Sequence, residues 1–155
     1  MKTNKLLIGM LVLVTLAFTL PNQVDAQNMT LAPHKIILNA QASSLDLDCH
    51  WGGILQSGTS IVGQSIQIYV NGNLLPGIEA YDLTYCWIDN IFKASFNRLE
   101  LMANSYVQSL ANVGPVEVVI SGNYTVEDGN GVQYTHLIAD RWDWLEIESP
   151  SKKKK

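Results

Sequence analysis

The sequence predicts a mainly β protein: an antiparallel β-sandwich with one short helix, following an N-terminal signal peptide. Three observations lead there. Apolar and polar residues alternate in short runs, the runs recur at spacings of about ten residues, and Gly, Asn, Ser and Pro punctuate the intervals. Seven or eight short strands at that spacing suit two packed antiparallel sheets better than a helical bundle.

The chain opens with "MKTNKLLIGMLVLVTLAFTLPNQVDAQ". Lys2 and Lys5 form a basic start, Leu6 to Leu20 an apolar run, and Pro21 a break. Val24, Asp25 and Ala26 then place small or modest residues at the −3 and −1 positions of a cleavage point. This pattern marks residues 1–26 as a secretory signal peptide and Gln27 as the start of the mature chain. An uncleaved anchor would need about 20 apolar residues to span a bilayer, and the run has 15. Export to a secreted or periplasmic location is expected, with no stable membrane insertion after cleavage.

Residues 27–150 are the size of one domain and contain no internal repeat. "HKIILNAQ" (34–41) and "SLDLDCHW" (44–51) are the first strand candidates. "SIQIYV" (65–70) alternates cleanly and runs into "NGN", whose residues tolerate the positive φ of a hairpin turn. "LLPGIEAY" returns from that turn, and Pro76 places it at a sheet edge or a bend. "DLTYCWI" (82–88) and "NIFKASF" (90–96) form a further pair. From Arg98 to Ala111 the apolar residues Leu99, Met102, Tyr106 and Leu110 recur every three or four positions, which predicts a helix of about three turns ended by Gly114-Pro115. "PVEVVISGNYTV" (115–126) and "VQYTHLIADRWDWLEIE" (132–148) close the domain around the hairpin signal "EDGNG", with a bulge or bend expected at Ala139 to Arg141. The last five residues, 151–155, read as a disordered basic tail.

Charge narrows the partners. The full chain carries 10 basic and 14 acidic residues, a net charge of −4. Lys2, Lys5 and Asp25 leave with the signal peptide, and four of the remaining eight bases are the lysines at 152–155. The domain body therefore holds four bases against thirteen acids, which argues against nucleic acid as a partner because that affinity rests on cationic contacts to phosphate. The terminal lysines would suit an anionic envelope surface or simply water.

Cys49 and Cys86 are the only cysteines. In an oxidising compartment they are expected to form a disulfide closing a loop of about 38 residues, which would contribute roughly 3–4 kcal/mol. Two buried thiols are the alternative.

Few residues point to chemistry. Alternation puts Asp46, Asp48 and His50 on one face of their strand and Leu45, Leu47, Cys49 and Trp51 on the other. Two carboxylates and an imidazole begin a Ca²⁺ or Zn²⁺ set, which would need further ligands from other strands. A solvated strand face explains the same residues without a metal. Asp128, Asn130 and Gly131 faintly resemble a calcium loop but lack its later ligands, and turn chemistry accounts for them. Trp142 and Trp144 share a face opposite Arg141, Asp143, Leu145 and Ile147, and they would stack on sugar rings if exposed together. The glycine-rich loop 52–64 carries Ile54 and Leu55, and loops on a rigid scaffold are where recognition sits. No Ser occupies G-x-S-x-G, so nucleophilic hydrolysis has no support. Asn28 and Asn123 begin glycosylation sequons, which matter only in a eukaryotic secretory pathway.

Taken together, "SSLDLD…IQIYVNG…YCWIDNIFKASFNR…VEVVISGNYTVEDGNGVQYTHLIADRWDWLEI" resembles small exported immunoglobulin-like or adhesin-type β-sandwich modules of prokaryotic cell surfaces. The spacing departs from true immunoglobulin domains, since Trp51 lies two residues after Cys49 and Trp87 directly follows Cys86. The resemblance implies a non-catalytic module, without a cofactor, that binds a protein or glycan partner or serves a structural surface role. The alternatives are a metal-dependent module or hydrolase using Asp46, Asp48 and His50, and a carbohydrate-binding module using Trp142 and Trp144.

Overall fold

The structure, a computed structural model, describes residues 29–39 and 45–150. The expected signal peptide, the lysines at 152–155 and Asn28 lie outside these residues. The described chain is mainly β and forms two sheets. In order, it contains β1 (Thr30–Ala32), β2 (Lys35–Ile37), β3 (Asp46–Gly52), β4 (Ser60–Val70), β5 (Asn73–Glu79), β6 (Asp82–Cys86) and β7 (Ile91–Asn97). Helices α1 (Arg98–Ala103) and α2 (Ser105–Ser109) follow, then β8 (Pro115–Glu127) and β9 (Gln133–Glu148).

One sheet has the order β1-β3-β7-β6 and the other β2-β9-β8-β4-β5. Strands pair antiparallel except β2, which lies parallel to β9. Leu31, Leu47, Cys49, Phe92 and Phe96 of the first sheet and Ile36, Ile66, Ile68, Val118, Ile120 and Leu145 of the second belong to one buried apolar cluster. The period-two runs thus do what the sequence demands: one face of each strand enters the core.

The turns follow local chemistry. Asn71 and Gly72 both have positive φ (46° and 74°), the primed-turn geometry that matches strand twist. Asp128 Oδ1 accepts from the backbone N–H groups of Asn130 and Val132 at 2.9 Å each, closing the β8–β9 turn. These contacts hold the Asp128 carboxyl below its ordinary pKa. The bulge falls as expected: Ile120 pairs with Arg141 and Gly122 with Ile138, so β9 carries an extra residue there.

Several expectations change. The single helix is two short ones. Asn104 breaks the run by adopting an extended conformation (φ −68°, ψ 125°), and its side chain accepts from the N–H groups of Tyr106 and Val107 to start α2. Strand β4 begins at Ser60, so the connection after β3 is shorter than the predicted loop 52–64.

The expected Cys49–Cys86 bridge is absent, and both cysteines are free. Strand β7 lies between β3 and β6. Cys49 pairs with Ala94 and Cys86 with Ile91, an odd separation along β7 that points the two thiols to opposite faces of the sheet. A disulfide needs Cα atoms within about 7 Å and converging Cβ vectors, and this register provides neither. Cys49 is buried, and desolvation pushes its thiol pKa up; Cys86 is exposed. A disulfide-exchange thiol assay should therefore release one equivalent from the native protein and two after unfolding. Zero native equivalents would restore the bridge.

Gly122 sets a second constraint. Its φ is +154°, and an added Cβ would fall 2.0 Å from the Ser65 carbonyl oxygen and 2.9 Å from Ile66 Cα. Both obstacles are backbone of β4, so no rotamer change relieves them. Gly122→Ala should cost about 3 kcal/mol, the upper part of the range for overpacking, read as a fall in the urea midpoint.

Candidate functional site

Strand length creates the site. In the five-stranded sheet β4, β8 and β9 run to 11, 13 and 16 residues, while no strand of the other sheet exceeds 7. The inner face of the β8–β9 hairpin therefore continues past the end of the shorter sheet. On β8, Ile120, Tyr124 and Val126 share the inward side. Tyr124 pairs with His136 and Val126 with Tyr134. What covers this extension is the β3–β4 connection, residues 53–59.

Between them lies a cleft of about 210 Å³. Tyr124 and His136 stack across its floor, ring centroids 5.1 Å apart and 21° between planes. Ile54, Leu55, Gln56 and Thr59 form one wall, and Val126 and Tyr134 the other. Leu55 is buried, which anchors the loop to the core, whereas Ile54 is 88% exposed and Tyr134 50%. The Thr59 hydroxyl donates to the Gln56 carbonyl at 2.7 Å, so the loop spends that polar group on its own shape.

An aromatic chain supports the cleft from below. Trp87 meets Tyr85 edge-on at 4.9 Å, Tyr85 lies 4.6 Å from Phe92, and Phe92 lies 5.2 Å from Tyr124. Trp51 stacks on Phe92 at 5.5 Å. Phe92 is buried and joins all three arms. The single proton of the Tyr85 hydroxyl is shared between the Gly53 carbonyl (3.1 Å) and Asn90 Oδ1 (2.9 Å), and the Gly53 N–H donates to the Asn90 carbonyl (3.0 Å). The β3–β4 connection is thus fastened to the β6–β7 turn. A Cβ on Gly53 would sit 2.7 Å from the Phe92 ring, so the loop backbone passes directly over it. Burial, with the neighbouring Tyr85 phenol adding to it, raises the Tyr124 hydroxyl pKa, so this phenol stays uncharged through neutral pH.

The other sequence candidates are placed elsewhere. Asp46, Asp48 and His50 do share the outer face of β3, but the carboxylates are engaged within the sheet. Asp46 Oδ1 accepts from the Tyr81 hydroxyl at 2.6 Å, a bond that raises the Tyr81 pKa to about 12. Asp48 accepts from the Ser95 hydroxyl at 2.6 Å and lies 3.8 Å from Lys93 Nζ. His50 sits across from Lys93 in the register, a cation where a metal site would want another donor. Among the described residues no three His, Cys, Asp or Glu side chains converge to hold a metal.

Trp142 and Trp144 lie on the outer face of the five-stranded sheet, away from the cleft. Trp142, Val119, Tyr69 and Leu74 make one cross-strand row there. The two indoles meet edge to face, 6.2 Å and 79° apart, whereas a sugar platform presents coplanar rings. The structure thus brings Ile54 and Leu55 into a cleft and leaves the tryptophans on another surface.

Sequence reasoning missed Tyr124, Val126, Tyr134 and His136. A signal was present, because "YTV" and "YTH" flank the "EDGNG" turn with matching period-two aromatics. Only the register shows that they oppose one another.

Phe92→Ala should destabilise the domain by about 3–5 kcal/mol, in line with buried aromatic truncations. It should also loosen the 53–59 loop, read as faster amide hydrogen exchange there than in β4 or β8.

Comparison with known proteins adds no relative: no family model, no curated protein and no solved structure matches the chain.

Proposed function

We propose that this chain is an exported, non-catalytic β-sandwich module that binds a macromolecular partner at the cleft between the β3–β4 connection and the β8–β9 hairpin. The observation that carries this reading is the cleft itself: concave, stacked at its floor, and rimmed by Ile54 and Tyr134, apolar surface that folding leaves in water. Leaving such side chains exposed gives up about 1.5–3 kcal/mol apiece when they are large, which a binding partner would recover. Buried, ring-packed side chains lie beneath the cleft and it is formed without a ligand, which keeps the ordering cost of binding small.

Several features support a binding role over catalysis. Among the described residues the cleft lining holds no carboxylate pair and no nucleophile with an adjacent base, and its imidazole, His136, stacks on Tyr124. The immunoglobulin-like resemblance and the export signal point the same way. Two buried sheets ending in short loops suit a surface module, where recognition residues change without disturbing the core.

Probing peptide and glycan arrays with the purified protein tests the reading. Ile54→Ser and Tyr134→Ser, both at exposed positions, should leave the melting temperature within about 2 °C while abolishing array binding. Trp144→Ser should leave it intact. Binding that survives the cleft variants but is lost in Trp144→Ser would move the site to the outer sheet face and overturn the proposal.

A further inference from the structure

We infer that the cleft accepts one bulky apolar side chain from a cationic segment of a protein partner. This rests on the binding reading above and names the class of partner. Three observations lead to it.

The first is size. At about 210 Å³ the cleft is smaller than the roughly 300–1,000 Å³ pockets that enclose a whole small ligand. It suits a single projecting side chain, with the rest of the partner lying over the rim.

The second is chemistry. Ile54, Leu55 and Val126 supply aliphatic walls, and Tyr124, Tyr134 and His136 supply ring faces. A hexose carries hydroxyls around its whole edge and asks for many convergent donors and acceptors. The Thr59 hydroxyl already donates to its own loop, and the aliphatic walls offer a sugar edge nothing to pair with. An aliphatic or aromatic side chain meets apolar groups on both walls, and Gln56 and the tyrosine hydroxyls are left for the backbone that carries it.

The third is charge. The turns next to the two walls, residues 87–90, bonded through Asn90 to Gly53, and 128–132, between Val126 and Tyr134, carry Asp89 and Asp128 and, like the loop 53–59, no lysine or arginine. Lys93, further down β7, is turned to the outer face towards Asp48. An apolar pit flanked by acidic turns selects an apolar anchor flanked by lysine or arginine, which gain from the field on approach and from aromatic faces on contact.

The test is an NMR titration of the purified protein at pH 7.5 with three capped synthetic pentapeptides: Lys-Lys-Phe-Lys-Lys, Glu-Glu-Phe-Glu-Glu and Lys-Lys-Ala-Lys-Lys. The first should shift the amides of residues 54–59 and 134–136. It should bind at least about tenfold more tightly than either of the others and weaken as salt is raised. The Asp89→Asn/Asp128→Asn double variant, which keeps the acceptor that closes the β8–β9 turn, should lose most of that preference. Tyr134→Ser should lose binding of the first peptide. Equal binding of the acidic peptide, or of the alanine peptide, would overturn the inference. Shifts of the same amides by glucose or N-acetylglucosamine, with none from the lysine–phenylalanine peptide, would overturn the partner class while leaving the cleft as a binding site. Silence from all probes, with array binding still lost in the cleft variants, would also overturn it and leave the broader binding reading standing.

Discussion

Phe92 is the ring through which the loop end of the molecule is held together. It sits near the start of β7, where its sheet runs out, and takes contacts from Trp51 on β3, Tyr85 on β6 and Tyr124 on β8. Those partners come from both sheets, so one side chain ties the short sheet to the overhanging hairpin of the long one. Stacked and tilted pairs of this kind contribute about 0.5–1.5 kcal/mol beyond burial of their area. The same ring leaves no room for a Cβ at position 53, and that is why a glycine carries the loop over it. Remove the ring and the cleft loses its foundation and the seat of its upper wall together.

The mismatch in strand length then decides where apolar surface stays wet. Along most of their length, inward residues of both sheets belong to one buried cluster. Beyond it the hairpin offers Tyr124, Tyr134 and His136 to a seven-residue connection instead of a strand. The connection covers part of that face with Leu55 and leaves Ile54 in solvent. Gly122 and the bulge in β9 lie at the foot of the overhang, where β8 approaches β4 too closely for any side chain. A bulge at such a point bends and twists the strands, which carries the hairpin over the core end.

The outer face of the shorter sheet shows the opposite economy. Asp46 and Asp48 look like ligands in isolation, but Tyr81, just before β6, and Ser95 and Lys93 of β7 supply their donors. Cross-strand pairing of this sort fixes register and solubility on a wet face. The cysteines tell the same lesson about faces. Cys49 is a core residue that happens to be a thiol, while Cys86 belongs to an edge strand and points outward.

Alternation, turn residues and composition were enough to determine that this chain is mainly β, where most strands begin, and that "NGN" and "EDGNG" close hairpins. These depend on neighbours a few residues away, so they are written locally. The break between α1 and α2 was obscured because Asn104 caps a helix from inside a run whose apolar spacing continues across it. Strand β1 was missed because three residues are too few to show a period. Pairing is a non-local matter. Which strand lies between β3 and β6 decided the fate of the cysteines, and the register of β8 against β9 decided that Tyr124 and His136 stack. The sequence offered Ile54, Leu55 and both tryptophans as candidates, with the loop that carries Ile54 and Leu55 preferred. Only tertiary structure separated them, because relative strand length, invisible along the chain, determines which apolar face joins the shared core and which is left as a cleft.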